Sequence, residues 1–139
     1  MIRGSGCIEG TNDNDFIQAI SAGEVDNIIF GKDRQDIIFS DVGIDTVYGG
    51  AGGDTIQGGP GNDQLFGEGG DDHLFGGSDD DLIVGGKGNN HLFGDTGNDV
   101  LKRGENSGAN YFDCGDGLDV IVDFNVKKGD VTAGNCEIF

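Results

Sequence analysis

The sequence is short of basic residues, of cysteine, of proline and of long apolar runs, and these shortages narrow what it can do. Only 8 of its 139 residues are Lys or Arg, against 26 Asp or Glu, for a formal net charge of −18. A surface that acidic repels phosphate backbones and anionic lipid headgroups, so neither nucleic acid nor a membrane is an expected partner. No stretch is long and apolar enough to span a bilayer. The opening Met1-Ile-Arg-Gly-Ser-Gly lacks the apolar core of a cleaved secretory signal, which leaves a mature fragment, an isolated piece or export without a cleaved signal as open readings. Serine, histidine and acidic residues occur, but nothing in their order sets a nucleophile beside a base, so no enzyme is expected.

Cysteine is scarce and odd in number, at Cys7, Cys114 and Cys136. A bridge between Cys114 and Cys136 would stabilise the C-terminal region by roughly 3 kcal/mol on the chain-entropy model, and it points to an oxidising compartment. The alternative, a zinc site, lacks a nearby histidine to complete it. Cys7 is then left free or bonded to a second chain.

One proline beside 29 glycines would ordinarily read as low complexity, yet the glycines keep time. Gly49-Gly-Ala-Gly-Gly-Asp-Thr-Ile-Gln57 is followed by Gly58-Gly-Pro-Gly-Asn-Asp-Gln-Leu-Phe66. Numbered one to nine, the unit reads Gly, Gly, any, Gly, any, Asp, any, apolar, any. Position six collects Asp15, Asp26, Asp36, Asp45, Asp54, Asp63, Asp72, Asp81, Asn90, Asp99, Asn110 and Asp119. Position eight collects Ile17, Ile28, Ile38, Val47, Ile56, Leu65, Leu74, Ile83, Leu92, Leu101, Phe112 and Ile121, with no polar exception. The spacing is a strict nine from Asp45 to Asp99 and loosens on either side, which predicts bulges at those turns.

Six residues of turn leave three for a short strand, with position eight facing one way and positions seven and nine the other. Two units then carry the chain out and back in eighteen residues. Stacked coils place equivalent residues about 4.8 Å apart at i and i+18, so their backbones pair and the position-eight side chains fill a narrow interior. The expected order is an N-terminal capping strand at 1–9, the repeats at 10–122 and a C-terminal cap at 123–139, where a Cys114–Cys136 tie would hold Phe124 and Ile138 over the open core.

This nonapeptide resembles the RTX, or haemolysin-type, calcium-binding β-roll family. The resemblance implies an all-β, right-handed parallel β-solenoid with calcium in its turns, in proteins that stay unfolded during export and fold on meeting calcium outside the cell. It also implies a ligand set between successive turns on one edge. The first turn gives its position-six carboxylate and the carbonyls of positions two and four; the second gives its own position-six side chain and the carbonyls of positions one and three. Carried onto this chain, one edge pairs Asp36 with Asp54, Asp54 with Asp72 and Asp72 with Asn90, using carbonyls that include those of Gly49, Ala51, Gly50, Gly52, Gly67 and Gly69. The other edge pairs Asp45 with Asp63 through Asp41, Gly43, Gly58 and Pro60, Asp63 with Asp81 through Gly59, Gly61, Gly76 and Ser78, and Asp81 with Asp99 through Gly77, Asp79, Gly94 and Thr96.

About six Ca2+ ions are implied, which would reduce the net charge to about −6. Two more, at Asp15 with Asp36 and Asp26 with Asp45, would make eight. Asn90 keeps an oxygen but no charge, so its site is the weakest of the six. Lys32, Arg34, Asp41 and Asp79 stand where glycine is favoured and are candidates for backbone strain.

His73 and His91, both at position seven and eighteen apart, are neighbours on an outer face, where surface filling outweighs a two-histidine metal site. Phe39, Tyr48, Phe66, Phe75 and Phe93 at position nine point outward, with Tyr48 next to Phe66 and Phe75 next to Phe93. They either brace the sheets or form an apolar strip for docking. Thr46 and Thr55 fall on opposite sheets, which disfavours an ice-binding face, and the acidity disfavours polyanionic sugars. The expected function is a non-enzymatic extracellular calcium-binding module. The alternative is a homo-oligomeric subunit of a calcium-stabilised fibre or surface layer, joined through the outward aromatics and Cys7.

Overall fold

A unit with so few strand positions must reverse the chain twice every eighteen residues, and the chain does so along nearly its whole length. The computed structural model describes residues 1–20, 22–105 and 108–139. In chain order the strands are β1 (Ile2–Gly4), β2 (Cys7–Glu9), β3 (Phe16–Ala19), β4 (Ile28–Asp33), β5 (Ile37–Phe39), β6 (Thr46–Ala51), β7 (Thr55–Pro60) and β8 (Gln64–Gly69). They continue with β9 (His73–Ser78), β10 (Leu82–Lys87), β11 (His91–Thr96), β12 (Val100–Lys102), β13 (Tyr111–Asp113), β14 (Val120–Ile121), β15 (Val131–Thr132) and β16 (Glu137–Ile138). Odd-numbered strands form one sheet and even-numbered strands the other, each with its neighbours in chain order. All pairs are parallel, as a chain that always winds the same way requires. This is a β-solenoid, and it fits a β-roll of about seven turns.

The core is one row of side chains per sheet. Ile17, Ile38, Ile56, Leu74, Leu92 and Phe112 come from one, and Ile8, Ile29, Val47, Leu65, Ile83, Leu101 and Ile121 from the other. Each interior strand thus contributes a single large apolar group, too little for coils to be stable singly.

One repeat departs from the expected register. Ile28 is 48% exposed, whereas Ile29 is fully buried and pairs with Val47. The position-six place beside it therefore belongs to buried Asn27, and Asp26 is exposed. Counting back nine from Asp36 lands on Asn27, so the strict period begins there. The steps from Asp15 to Asp36, eleven and ten by way of Asp26, become twelve and nine by way of Asn27, with the longer step between β3 and β4. The shift also brings Phe30 to position nine, where it stacks on Tyr48 at 5.1 Å, and Tyr48 stacks on Phe66 at 5.1 Å.

The tail after 122 is also more regular than its sequence suggests. Val131 pairs with Tyr111 and Glu137 with Val120, so Asp130 and Cys136 take position-six places in one further coil. At the other end, residues 1–9 hold two strands, one heading each sheet. Phe124 packs beside Phe112 with ring centroids 5.9 Å apart. Ile138, expected over the core, is 49% exposed.

Positions two and four adopt left-handed backbone throughout the repeats. Six such places hold side chains, at Lys32, Arg34, Asp41, Glu68, Asp79 and Asp95, with φ between 71° and 91°. Each costs roughly 1–2 kcal/mol relative to an ordinary backbone. Glu68→Gly should therefore raise the unfolding free energy in calcium by up to about 1 kcal/mol, the gain being reduced by the freer unfolded chain. Gly70→Ala, at φ 138° with the Gly52 carbonyl against its face, should lower it by about 2 kcal/mol or more. Denaturant titrations of the two variants give the signs directly.

Candidate metal centre

Among the described residues, position six is the carboxylate position whose side chain turns inward at the edge of the core. Asp36, Asp45, Asp54, Asp63, Asp72, Asp81, Asp99 and Asp119 are all buried, as are Asn90 and Asn110. One oxygen of each carboxylate is satisfied the same way every time. The backbone N–H of Asp36 donates to Oδ1 of Asp54 at 2.8 Å, that of Asp54 to Asp72 at 2.8 Å, and that of Asp72 to Oδ1 of Asn90 at 2.9 Å. On the other edge Asn27 donates to Asp45 at 2.6 Å, Asp45 to Asp63, Asp63 to Asp81 and Asp81 to Asp99 at 2.8 Å, and Asp99 to Asp119 at 2.7 Å. Each link spans one coil.

The second oxygen has nothing. Oδ2 of all eight aspartates is buried without a hydrogen-bond partner. A buried polar oxygen left bare costs about 1–3 kcal/mol, and more when charged. One such atom would be an anomaly; eight in two rows form a feature of the fold.

The main chain around each Oδ2 presents further oxygens. A methyl group on Gly49 would lie 2.6 Å from Asp54 Oδ2 and 2.9 Å from the carbonyl oxygen of Gly67 in the next coil. Position-one carbonyls thus point back toward the preceding carboxylate. Carbonyls of positions two and four point forward, since those of Glu68 and Gly70 stand against Gly86 and Gly88 of the next coil. Position-three carbonyls accept one backbone bond each, from Gly52 to Gly69 at 2.6 Å and from Gly61 to Ser78 at 3.1 Å, which leaves a lone pair. Among the described residues no three Asp, Glu, His or Cys side chains converge. A cation here must draw mostly on carbonyl oxygens, which suits calcium and not zinc or copper.

Residues at the ends of the two rows behave differently. Oδ2 of Asp15 accepts from the backbone N–H and hydroxyl of Thr11, at 2.6 and 2.9 Å. Asp26 lies outside the row, and its Oδ1 accepts from Ile44 N–H at 2.9 Å. Asn27 donates its amide to Val25 O, Ser40 O and Asp45 Oδ1. The pairing of Asp26 with Asp45 is therefore corrected: an amide stands in the carboxylate's place.

Beyond Asp99 the same arrangement continues to Asp119, with the carbonyls of Asp95 and Gly97 forward and that of Cys114 back. A spacing of twenty in place of eighteen hid this step in the sequence. An outer row at position five went unread as well: Asn62, Asp80 and Asn98 each accept a backbone N–H from the next coil.

The rings of His73 and His91 lie 4.8 Å apart, tilted by 32°, and Tyr111 adjoins His91. Phe75 and Phe93 stack at 4.7 Å. Cys114 and Cys136 form a disulfide with Cα atoms 5.5 Å apart, and Cys7 is free and exposed on β2.

A model of the RTX calcium-binding nonapeptide repeat matches the chain in four copies, over residues 21–56, 40–74, 48–83 and 75–105. Two parallel sheets, turn glycines and bare carboxylates at every ninth residue define a calcium-binding β-roll. The chain belongs to the RTX calcium-binding nonapeptide-repeat family. Comparison with curated proteins gives no match.

Burial acts on these carboxyls first, pushing their pKa up. Asp54 and Asp99 reach about 6, Asp63 and Asp72 about 7 and Asp81 about 8; backbone donors oppose the rise, and neighbouring carboxylates add to it. Asp36 and Asp45 move the same way. A folded pKa above the unfolded 3.8 means that the fold binds extra protons. Without a cation, that contribution to stability is complete below about pH 4 and is lost as pH rises through 6 to 8. In chelator, acidification from pH 8 to pH 5 should therefore increase the β signal in circular dichroism, and calcium titrations should need more metal at the lower pH. An unchanged chelator spectrum over that range would contradict the assignment of these carboxyls as buried and raised.

Proposed function

We propose that this chain is a non-enzymatic module that works outside the cell and folds when it meets calcium. The observation that carries the reading is the set of eight buried carboxylate oxygens with no hydrogen-bond donor. A divalent ion between coils supplies what the protein withholds, and turns the repulsion along each row into attraction. Binding then becomes folding free energy. Millimolar calcium outside cells favours that state, and the disulfide suits an oxidising compartment.

The proposed ions number about seven. Three lie on one edge, between Asp36 and Asp54, Asp54 and Asp72, and Asp72 and Asn90, with carbonyls from Gly49, Ala51, Gly50, Gly52, Gly67 and Gly69 among their ligands. Four lie on the other, between Asp45 and Asp63, Asp63 and Asp81, Asp81 and Asp99, and Asp99 and Asp119. Their carbonyl donors are those of Asp41, Gly43, Gly58, Pro60, Gly59, Gly61, Gly76, Ser78, Gly77, Asp79, Gly94 and Thr96, joined at the last gap by Asp95, Gly97, Cys114 and Asp116. Asp15 is left out because Thr11 already satisfies its second oxygen. The outward rings cover one another's faces, which favours sheet bracing over sugar stacking. The fibre-subunit alternative rests on the exposed Cys7 of an edge strand, and sedimentation with and without calcium separates the two readings.

In excess chelator at neutral pH the chain should show a coil spectrum that turns to β on adding calcium. Asp63→Ala removes a ligand shared by two ions and should raise the calcium midpoint severalfold, whereas Asn90→Asp restores a charge and should lower it. A stable β spectrum in chelator, or three superimposable titrations, would sink the proposal.

A further inference from the structure

Position one is glycine in most repeats, because a Cβ there would crowd the carboxylate of its own turn, as at Gly49, Gly58, Gly67 and Gly76. In the repeat that ends at Asn110 it is Arg103, whose backbone carbonyl accepts from Gly86 as a position-one carbonyl should. A long cationic side chain thus enters the edge where most repeats carry none and where Ser40 and Cys114 place only short ones. Its position-six partner, Asn110, carries no charge.

Arg103 is buried. Its side chain is 10% exposed, and Nε lies 3.1 Å from Oδ2 of Asp130, whose side chain is fully buried. Nη2 donates to the carbonyl of Gly108 at 3.1 Å. Gly108 is position four of that turn and Asp130 is position six of the next, which are two of the donor classes assigned to calcium in the earlier gaps. Asp130 is also the carboxylate of this row that lacks nothing. Its Oδ1 accepts from Asn110 N–H at 3.0 Å and from Asn110 Nδ2 at 3.2 Å, and its Oδ2 from Asn125 N–H at 2.8 Å.

We propose that Arg103 is a cation built into the chain: its guanidinium fills the gap between the Asn110 and Asp130 turns in place of calcium, two gaps beyond the last ion placed on this edge. The inference rests on the calcium reading of the earlier gaps. It also accounts for the asparagine at 110, since a second full carboxylate next to a fixed monovalent charge would exceed what that charge can balance. The opposite edge ends in the same relation by other chemistry, with Cys114 at position one tied to Cys136 at position six of the next coil. Both last gaps are therefore closed by the protein, and the C-terminal coil needs no metal of its own.

Ions bound per chain, counted by native mass spectrometry in calcium, test this. Asp130→Asn should keep the parent's count, and Arg103→Gly should bind one ion more, in a gap whose Asn110 and Asp130 repeat the amide-and-carboxylate pair of the Asp72–Asn90 site. The inference is overturned if Asp130→Asn loses an ion, or if Arg103→Gly, β-rich by circular dichroism, keeps the parent's count. Should Arg103→Gly not fold, the Asp130→Asn count decides. A parent that binds no calcium would contradict the calcium reading and this inference with it, whereas a calcium-loaded parent with the wrong variant counts contradicts the inference alone.

Discussion

The structure depends on one repeated imbalance: each of eight position-six carboxylates has one oxygen bonded to the coil before it and one oxygen bonded to nothing. The bonded oxygen sets the spacing of the coils, since a backbone N–H must meet it at 2.6 to 2.9 Å at every step. The bare oxygen makes that spacing unfavourable without a cation. Core burial cannot compensate easily, because a coil brings only one large apolar side chain per sheet. Stability, metal binding and pH response therefore follow from the same atoms.

Much of this was legible because each physical requirement repeats. Position eight is apolar in every unit because the interior is one residue wide, and position six is nearly always Asp because only a short carboxylate spans the turn. What escaped the reading lies where the period slips. Ile28 and Ile29 are equally apolar, so composition did not decide which faces inward; the count of nine back from Asp36 to Asn27 was the available signal. The coil after 122 was illegible for a different reason. Its strands are two residues long, its position-six places hold Asp130 and Cys136, and its turns contain none of the glycine pattern. Arg103 escaped because a position-one side chain has meaning only once Asp130 of a coil that breaks the period is known to lie beside it.

The ends of a solenoid are its weak points, and here they are handled by groups that need no metal. Thr11 supplies donors to Asp15, Asn27 replaces a carboxylate with an amide, Arg103 pairs with Asp130, and Cys114 bonds to Cys136. In the proposed function calcium occupies only the gaps between these groups, where coils on both sides hold the carbonyls in place, an arrangement suited to folding on a change of calcium concentration.

The most direct test of the central claim is anomalous scattering from crystals grown in calcium, collected at long wavelength. Peaks should appear in the interior gaps at about 2.3–2.6 Å from the second carboxylate oxygens, Asp54, Asp63 and Asp81 among them, with none beside Arg103. Ordered coils with no peak next to those oxygens would contradict the account.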